Sequence, residues 1–151
     1  MAYAADIHEH FTEKIIKFLP IERLSGDIED TKHFIKMSAE QRVEGTDLVW
    51  VILYNNKFTG VCGIHTLASK KPHFGIWIKA QEQGKGIGKK VVDFVLRWGA
   101  ANLNIEYISY PVDKENTRSI KLIESLNLQC FDQYQIGTRK KMEIFEYRYY
   151  K

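Results

Sequence analysis

Apolar residues in this chain recur with two periods, and the switches between them divide it into elements. Ile7, Phe11, Ile15 and Leu19 stand four apart with charged residues between them, which predicts an amphipathic helix ending at Pro20. Asp27 is placed to cap a second helix over about Ile28 to Val43, with Ile28, Phe34, Ile35 and Met37 inward and Gly45 closing it. Leu48 to Tyr54 is β-branched and aromatic throughout and predicts a strand covered on both faces. Asn55-Asn56 suits a tight hairpin, since asparagine tolerates positive φ, and Phe58 to Leu67 returns as a second strand containing Gly60 and Gly63. A third strand is expected over His73 to Ala80. Ile87, Val91, Phe94, Val95 and Trp98 then form a helical stripe that must lie on the sheet. Ile105 to Val112 reads as a strand, Asn116 to Leu126 as a short helix, and Phe131 to Ile136 with Glu143 to Tyr149 as a closing antiparallel pair. The order predicts an α/β (α+β) domain, a mixed sheet of about six strands flanked by helices with a β-α-β unit at its centre.

Between the third strand and the helical stripe, Gly84, Gly86 and Gly88 alternate. Glycines there let successive backbone N–H groups converge on an anion at the N-terminus of the next helix, and Lys85, Lys89 and Lys90 add positive charge. The spacing decides which phosphate loop this is. A Walker loop would need glycine where Lys79 stands and a hydroxyl where Gly86 stands. A dinucleotide fingerprint beginning at Gly84 would need its third glycine at Lys89.

What remains is Gln83-x-x-Gly86-x-Gly88. It resembles the pyrophosphate loop of the GNAT superfamily of acyl-CoA-dependent N-acyltransferases. Downstream, Asn116-x-x-Ser119 and the ending Leu126-Asn-Leu128 resemble the second motif of that superfamily, and Gly75-Ile-Trp-Ile precedes the loop. The similarity runs from about Leu48 to Leu128 and is nearest to the branch that acetylates ribosomal-protein N-termini and related amines. It implies acetyl-CoA as cosubstrate, with transfer of acetyl to a primary amine, either a protein N-terminus or a small molecule. It also implies that the strands Ile76–Ala80 and Ile105–Val112 splay, so that pantetheine pairs with the first, at Trp77 and Ile78, as a further strand, and an N–H near Ile78 meets the thioester carbonyl. Pyrophosphate would rest on Gly84, Lys85, Gly86, Ile87, Gly88 and Lys89, with Gln83 opening the loop. Asn116 would hold the pantetheine arm or act as a helix cap, and Ser119 would give a hydrogen bond to the departing thiolate. A CoA-binding sensor without turnover is the alternative.

Three positions depart from the superfamily. Its usual first strand is missing, Ile123 stands where many members carry a tyrosine as general acid, and His73, two residues before Gly75, stands where the branch often has glutamate. Tyr134 and Tyr110 are therefore alternative proton donors, and His73, with His65 as its competitor, is the candidate base, because an imidazole accepts protons near neutral pH.

Composition narrows this picture without redirecting it. A chain of 151 residues, 44% hydrophobic and 27% charged, suits one globular domain. Its longest apolar run, Leu48 to Tyr54, is far too short to span a membrane, and Asp6, Glu9 and Glu13 are unlike a secretory leader, so a cytoplasmic protein is expected. Cys62 and Cys130 form neither a disulfide framework nor a metal cluster, so no metal is expected. A net charge of +3 is too mild to argue for nucleic acid. A monomer or homodimer without nucleic-acid or membrane partners is expected, with acceptor choice set in the loops Pro20–Asp27 and Gly137–Met142.

Overall fold

The computed structural model describes every residue of the chain except 22, 23 and 25, which fall within the first of the two expected acceptor loops. Six strands form a single sheet: β1 Leu48–Tyr54, β2 Lys57–His65, β3 His73–Ile78, β4 Tyr107–Asp113, β5 Cys130–Ile136 and β6 Met142–Tyr150. Their order is β1-β2-β3-β4-β6-β5. Every neighbouring pair is antiparallel except β3 and β4, which run parallel. The helices are α1 Ala4–His10, α2 Glu13–Ile16, α3 Ile28–Glu44, α4 Ile87–Asn102 and α5 Thr117–Glu124. Among the described residues no strand precedes β1, and no helix is long and apolar enough to cross a membrane.

Side-chain alternation divides the core between the two faces of the sheet. Ile52, Ile64, Phe74, Ile108 and Tyr110 pack with Val92, Val95 and Leu96 of α4. On the opposite face Val61, Trp77 and Phe58 pack with Ile7 of α1, and Ile35 of α3 joins from the side. A register shift at Ile52/Leu53 sets Phe58 on that second face. The turn Asn55-Asn56 has φ of 51° and 60°, the left-handed pair the hairpin requires. Both cysteines are free thiols, and burial pushes that of Cys62 up to about 12.

Tertiary packing corrects four expectations. The first helix is broken: Thr12 is extended between α1 and α2, so Phe11 packs on Trp77 while Ile15 and Ile16 turn inward. No residue of α3 is buried, and Phe34 and Met37 are exposed, because α3 lies mainly against α1 and the outer strand β1. That strand is an edge, half-covered instead of buried on both faces. In α4, Phe94 points outward, because the face pressed on the sheet runs through Val92, Leu96 and Gly99. A Cβ at Gly99 would stand 2.6 Å from Ile108 Cδ1, so glycine sets how closely this helix approaches.

Candidate active site

The site begins where the sheet opens. β3 and β4 are paired only at His73 and Ser109, and past that point the strands diverge. From Gly75 to Ile78, β3 keeps β2 on one side and has no partner on the other, which leaves a strand edge able to pair with an extended ligand. The gap leads to a cavity of about 680 Å³. Ile76, Trp77, Ile78, Tyr110 and the loop before α4 line it, as do Asn116, Ser119 and Leu122 beside α5. Ile15, Phe18 and Leu19, in and after α2, line it too.

At the wide end of the gap the loop has the geometry of an anion nest. Gly84 and Gly86 both have φ of +79°, and Gly86 is the N-cap of α4, whose end has no side-chain cap. The first amides of such a helix have no partner within it and point outward, where the helix dipole also favours negative charge. Open space surrounds both glycines, as a phosphate cradle needs. Gln83 ties this loop to its surroundings: its Nε2 donates to the carbonyl of Ile78 at 2.8 Å, and its Oε1 accepts from Arg118 at 2.8 Å.

Across the gap, Asn116 caps α5 by accepting from the N–H of Ser119 at 3.2 Å. The cap uses only the carbonyl half of the amide, so the N–H₂ half remains a donor for a ligand. The Ser119 hydroxyl is 2.6 Å from the Tyr110 hydroxyl, and Tyr110 is 3% exposed. Burial raises the Tyr110 pKa and outweighs the lowering by Ser119, so the phenol stays protonated at neutral pH.

The structure therefore gathers Trp77, Ile78, Gln83, Gly84, Gly86, Ile87, Gly88, Lys89, Asn116 and Ser119 around one cavity. Lys85 is turned aside, donating to Glu82 at 2.9 Å, and does not line it. Nor does Tyr134, which lies on the outermost strand β5 with its pKa raised by burial and by Glu146. His73 stands at the vertex of the gap and outside the cavity lining. Burial and the nearby His65 lower its pKa against the pull of Asp47, which keeps its ring neutral at pH 7.

Arg118 is one of the lining residues that sequence reasoning missed. One signal was present: a cation in the first turn of a helix opposes the dipole, so a nearby acceptor or anion should compensate it. The residues of α2 had no comparable signal, because their approach depends on the break at Thr12.

A family model described as acetyltransferase (GNAT) domain matches residues 2–129. The Bacillus licheniformis protein described as uncharacterized N-acetyltransferase p20 is 26% identical over 120 residues, covering 77% of this chain and 67% of that one. Among solved structures, the microcin C7 self-immunity acetyltransferase MccE in complex with acetyl-CoA and AMP superposes with a TM-score of 0.87 at 19% identity, over 99% of this chain and 87% of that one. The ribosomal L7/L12 alpha-N-protein acetyltransferase RimL in complex with CoA gives 0.87 at 13% identity, over 99% and 89%. The spermidine N-acetyltransferase of Vibrio cholerae with CoA and spermine gives 0.81 at 14% identity, over 99% and 90%.

Proposed function

The chain belongs to the acetyltransferase (GNAT) domain family, and on that premise we propose that it transfers acetyl from acetyl-CoA to a single primary amine, with a protein N-terminus as the preferred acceptor class. The observation that carries this reading is the gap between β3 and β4, with the glycine nest at its open end and the Tyr110–Ser119 pair on its far wall.

The residues present fit the cosubstrate. The amides of Gly84 to Lys89 suit a pyrophosphate, and the unpaired edge at Ile76–Ile78 suits the amides of a pantetheine arm. Asn116 contributes a donor to the same arm, and an N–H near Ile78 meets the charge that gathers on a thioester oxygen. Bound there, acetyl-CoA supplies an acyl group activated towards nitrogen. Tyr110 and Ser119, already sharing a hydrogen bond, present a hydroxyl proton towards the leaving sulfur.

Charge around the cavity favours one kind of acceptor. Lys14, Lys17, Lys89, Arg118 and Lys121 line it against Glu82 and Glu115. That surplus suits the phosphates of the cosubstrate and repels a polyamine, so an N-terminal amine, the acceptor type of RimL, is favoured over one like spermidine. The proposal keeps a cytoplasmic setting and a monomer or homodimer. Among the described residues no group of three or more His, Cys, Asp or Glu is placed to hold a metal.

Incubation with acetyl-CoA and a panel of peptides and small amines, with released thiol read by a dye, tests the reading. CoA release faster with spermidine than with every peptide would overturn the preference. Two expected results concern particular residues. Arg118→Ala removes a cation and a brace on Gln83, and should weaken CoA binding by about 5- to 30-fold, equivalent to about 1–2 kcal/mol, by calorimetry. Ser119→Ala and Tyr110→Phe should each lower kcat by about 10- to 100-fold with CoA affinity nearly unchanged, as for an interaction made mainly in the transition state. The double variant should fall little further, because the two hydroxyls act as a unit. Full turnover by the double variant would move the proton donor elsewhere.

A further inference from the structure

On the sheet face away from α4, two histidines flank a floor without side chains. His65 of β2 and His73 of β3 are register partners, and their rings lie 5.2 Å apart. The next pair along the strands on that face is Gly63 with Gly75. The ring of His65 leans over both: a Cβ on Gly63 would stand 2.8 Å from His65 Nε2, and one on Gly75 would stand 3.8 Å from it. At its other nitrogen, His65 Nδ1 is 3.0 Å from Oδ1 of Asp47, which also accepts the Thr66 N–H at 3.3 Å. With the Asp47 side chain 14% exposed and that of His65 33% exposed, the carboxylate is set behind the ring and the ring is open to a ligand.

We propose that Asp47 and His65 form the proton-accepting dyad of the transfer, with the acceptor amine lying over Gly63 and Gly75 on the face opposite the α4 helix. The inference rests on the acetyl-transfer reading of the cavity. Three features of the site carry it. First, the cavity is lined from both faces of the sheet, by Tyr110 and Ser119 on the α4 side and by Trp77 on the other, so donor and acceptor reach the gap from opposite sides. Second, Gly75 directly precedes Ile76, the first cavity-lining residue of β3, and its lack of a side chain clears the space between His65 and the strand edge where the thioester lies. Third, a carboxylate at Nδ1 holds the neutral ring as the Nδ1–H tautomer, which leaves the Nε2 lone pair over the glycine floor. Among the described residues, the charged or titratable groups that face His65 are Asp47 and His73.

The proton count closes. An alkylammonium acceptor loses one proton before its nitrogen can form the C–N bond, and a second as the adduct collapses and the C–S bond breaks. One passes to His65 Nε2, directly or through a water, and on to solvent. The other balances the proton that the Tyr110–Ser119 pair gives to the departing sulfur, and restores that pair through solvent. Asp47 stabilises the imidazolium formed in between and touches no reacting atom, so it is a positioning residue.

Initial rates of the whole protein, with saturating acetyl-CoA and an amine that the parent acetylates, test the dyad across pH 5 to 9. A histidine base works only unprotonated, so the parent's kcat/KM should fall on the acid side of its pH profile. His65→Gln should lower kcat/KM about 100-fold at neutral pH, abolish that acid limb, and leave CoA affinity by calorimetry unchanged. Asp47→Asn should lower kcat/KM about 10-fold with CoA affinity unchanged, and Asp47→Glu, which keeps a carboxylate for the ring, should recover part of that loss. A His65→Gln protein with the parent's rate, or an Asp47→Glu protein no faster than Asp47→Asn, overturns the proposal. CoA release by the parent reports on acetyl transfer itself, whereas the ratio of variant to parent reports on the dyad alone.

Discussion

Gly86→Val is expected to abolish CoA binding while leaving the protein folded. Gly86 has φ of +79° at the N-cap of α4, a conformation that a β-branched residue adopts only under strain. The Cβ itself would meet no protein atom within 4 Å, so the side chain would not disrupt packing and would instead occupy the space in front of the loop amides. Relaxing the strain would turn those amides away from the anion, and keeping it would place two methyl groups where the phosphate approaches. Either outcome should weaken binding more than about 100-fold, beyond the loss of any single charged contact. Calorimetry decides the matter, with an unfolding transition near the parent's as the control. Parent-like affinity in Gly86→Val would remove the phosphate assignment from this loop.

A second large effect should come from a glycine far from any phosphate. Gly60 lies opposite Ile78 in the β2–β3 ladder, and a Cβ on it would stand 2.1 Å from the carbonyl oxygen of Trp77 and 3.0 Å from Ile78 Cα. Both are backbone atoms, which cannot swing aside as a side-chain tip does. Gly60→Val must therefore push β3 off β2 at the end that carries the ligand-pairing edge. We expect a loss of at least about 3 kcal/mol, a large part of a typical domain's stability, and a melting temperature lower by roughly 10 °C. Calorimetric unfolding of the variant checks this. Gly63→Ala offers a contrast, since one of its close contacts is the His65 ring, which can shift, although the Leu48 carbonyl at 2.9 Å cannot.

Both glycines show what is legible before folding. The role of Gly86 is visible in the chain, because a glycine two positions before another and three after Gln83 matches a loop whose function is backbone geometry. The role of Gly60 is not, since a glycine inside a predicted strand does not say which carbonyl approaches it. His73 was a candidate from its residue type and its place two residues before Gly75, and Tyr134 from its residue type, and neither signal carries three-dimensional position: one stands at the vertex of the gap and the other on the outermost strand. Tyr110 was only an alternative donor in the sequence, and only the fold shows that α5 brings Ser119 to within 2.6 Å of its hydroxyl, the contact on which its proposed role rests.

The chain by itself determined the order of strands and helices, the Asn55-Asn56 hairpin, the caps at Asp27 and Asn116, and the glycine loop, for each depends on neighbours a few residues away. Only the tertiary structure decided where α2 turns towards the cavity, which face of α4 is buried, and that α3 remains largely exposed. It also decided two long-range unions. Lys140, in the β5–β6 turn, donates to the carbonyls of Ile16, Leu19 and Ile21, and so fastens the segment after α2 that forms one wall of the cavity. Asp47, eighteen positions before His65, meets its ring because the β1–β2 register sets the two side by side. Such contacts follow from how strands align and helices settle on them, and the periodicity of a sequence carries the face a residue takes but not the partner it finds there.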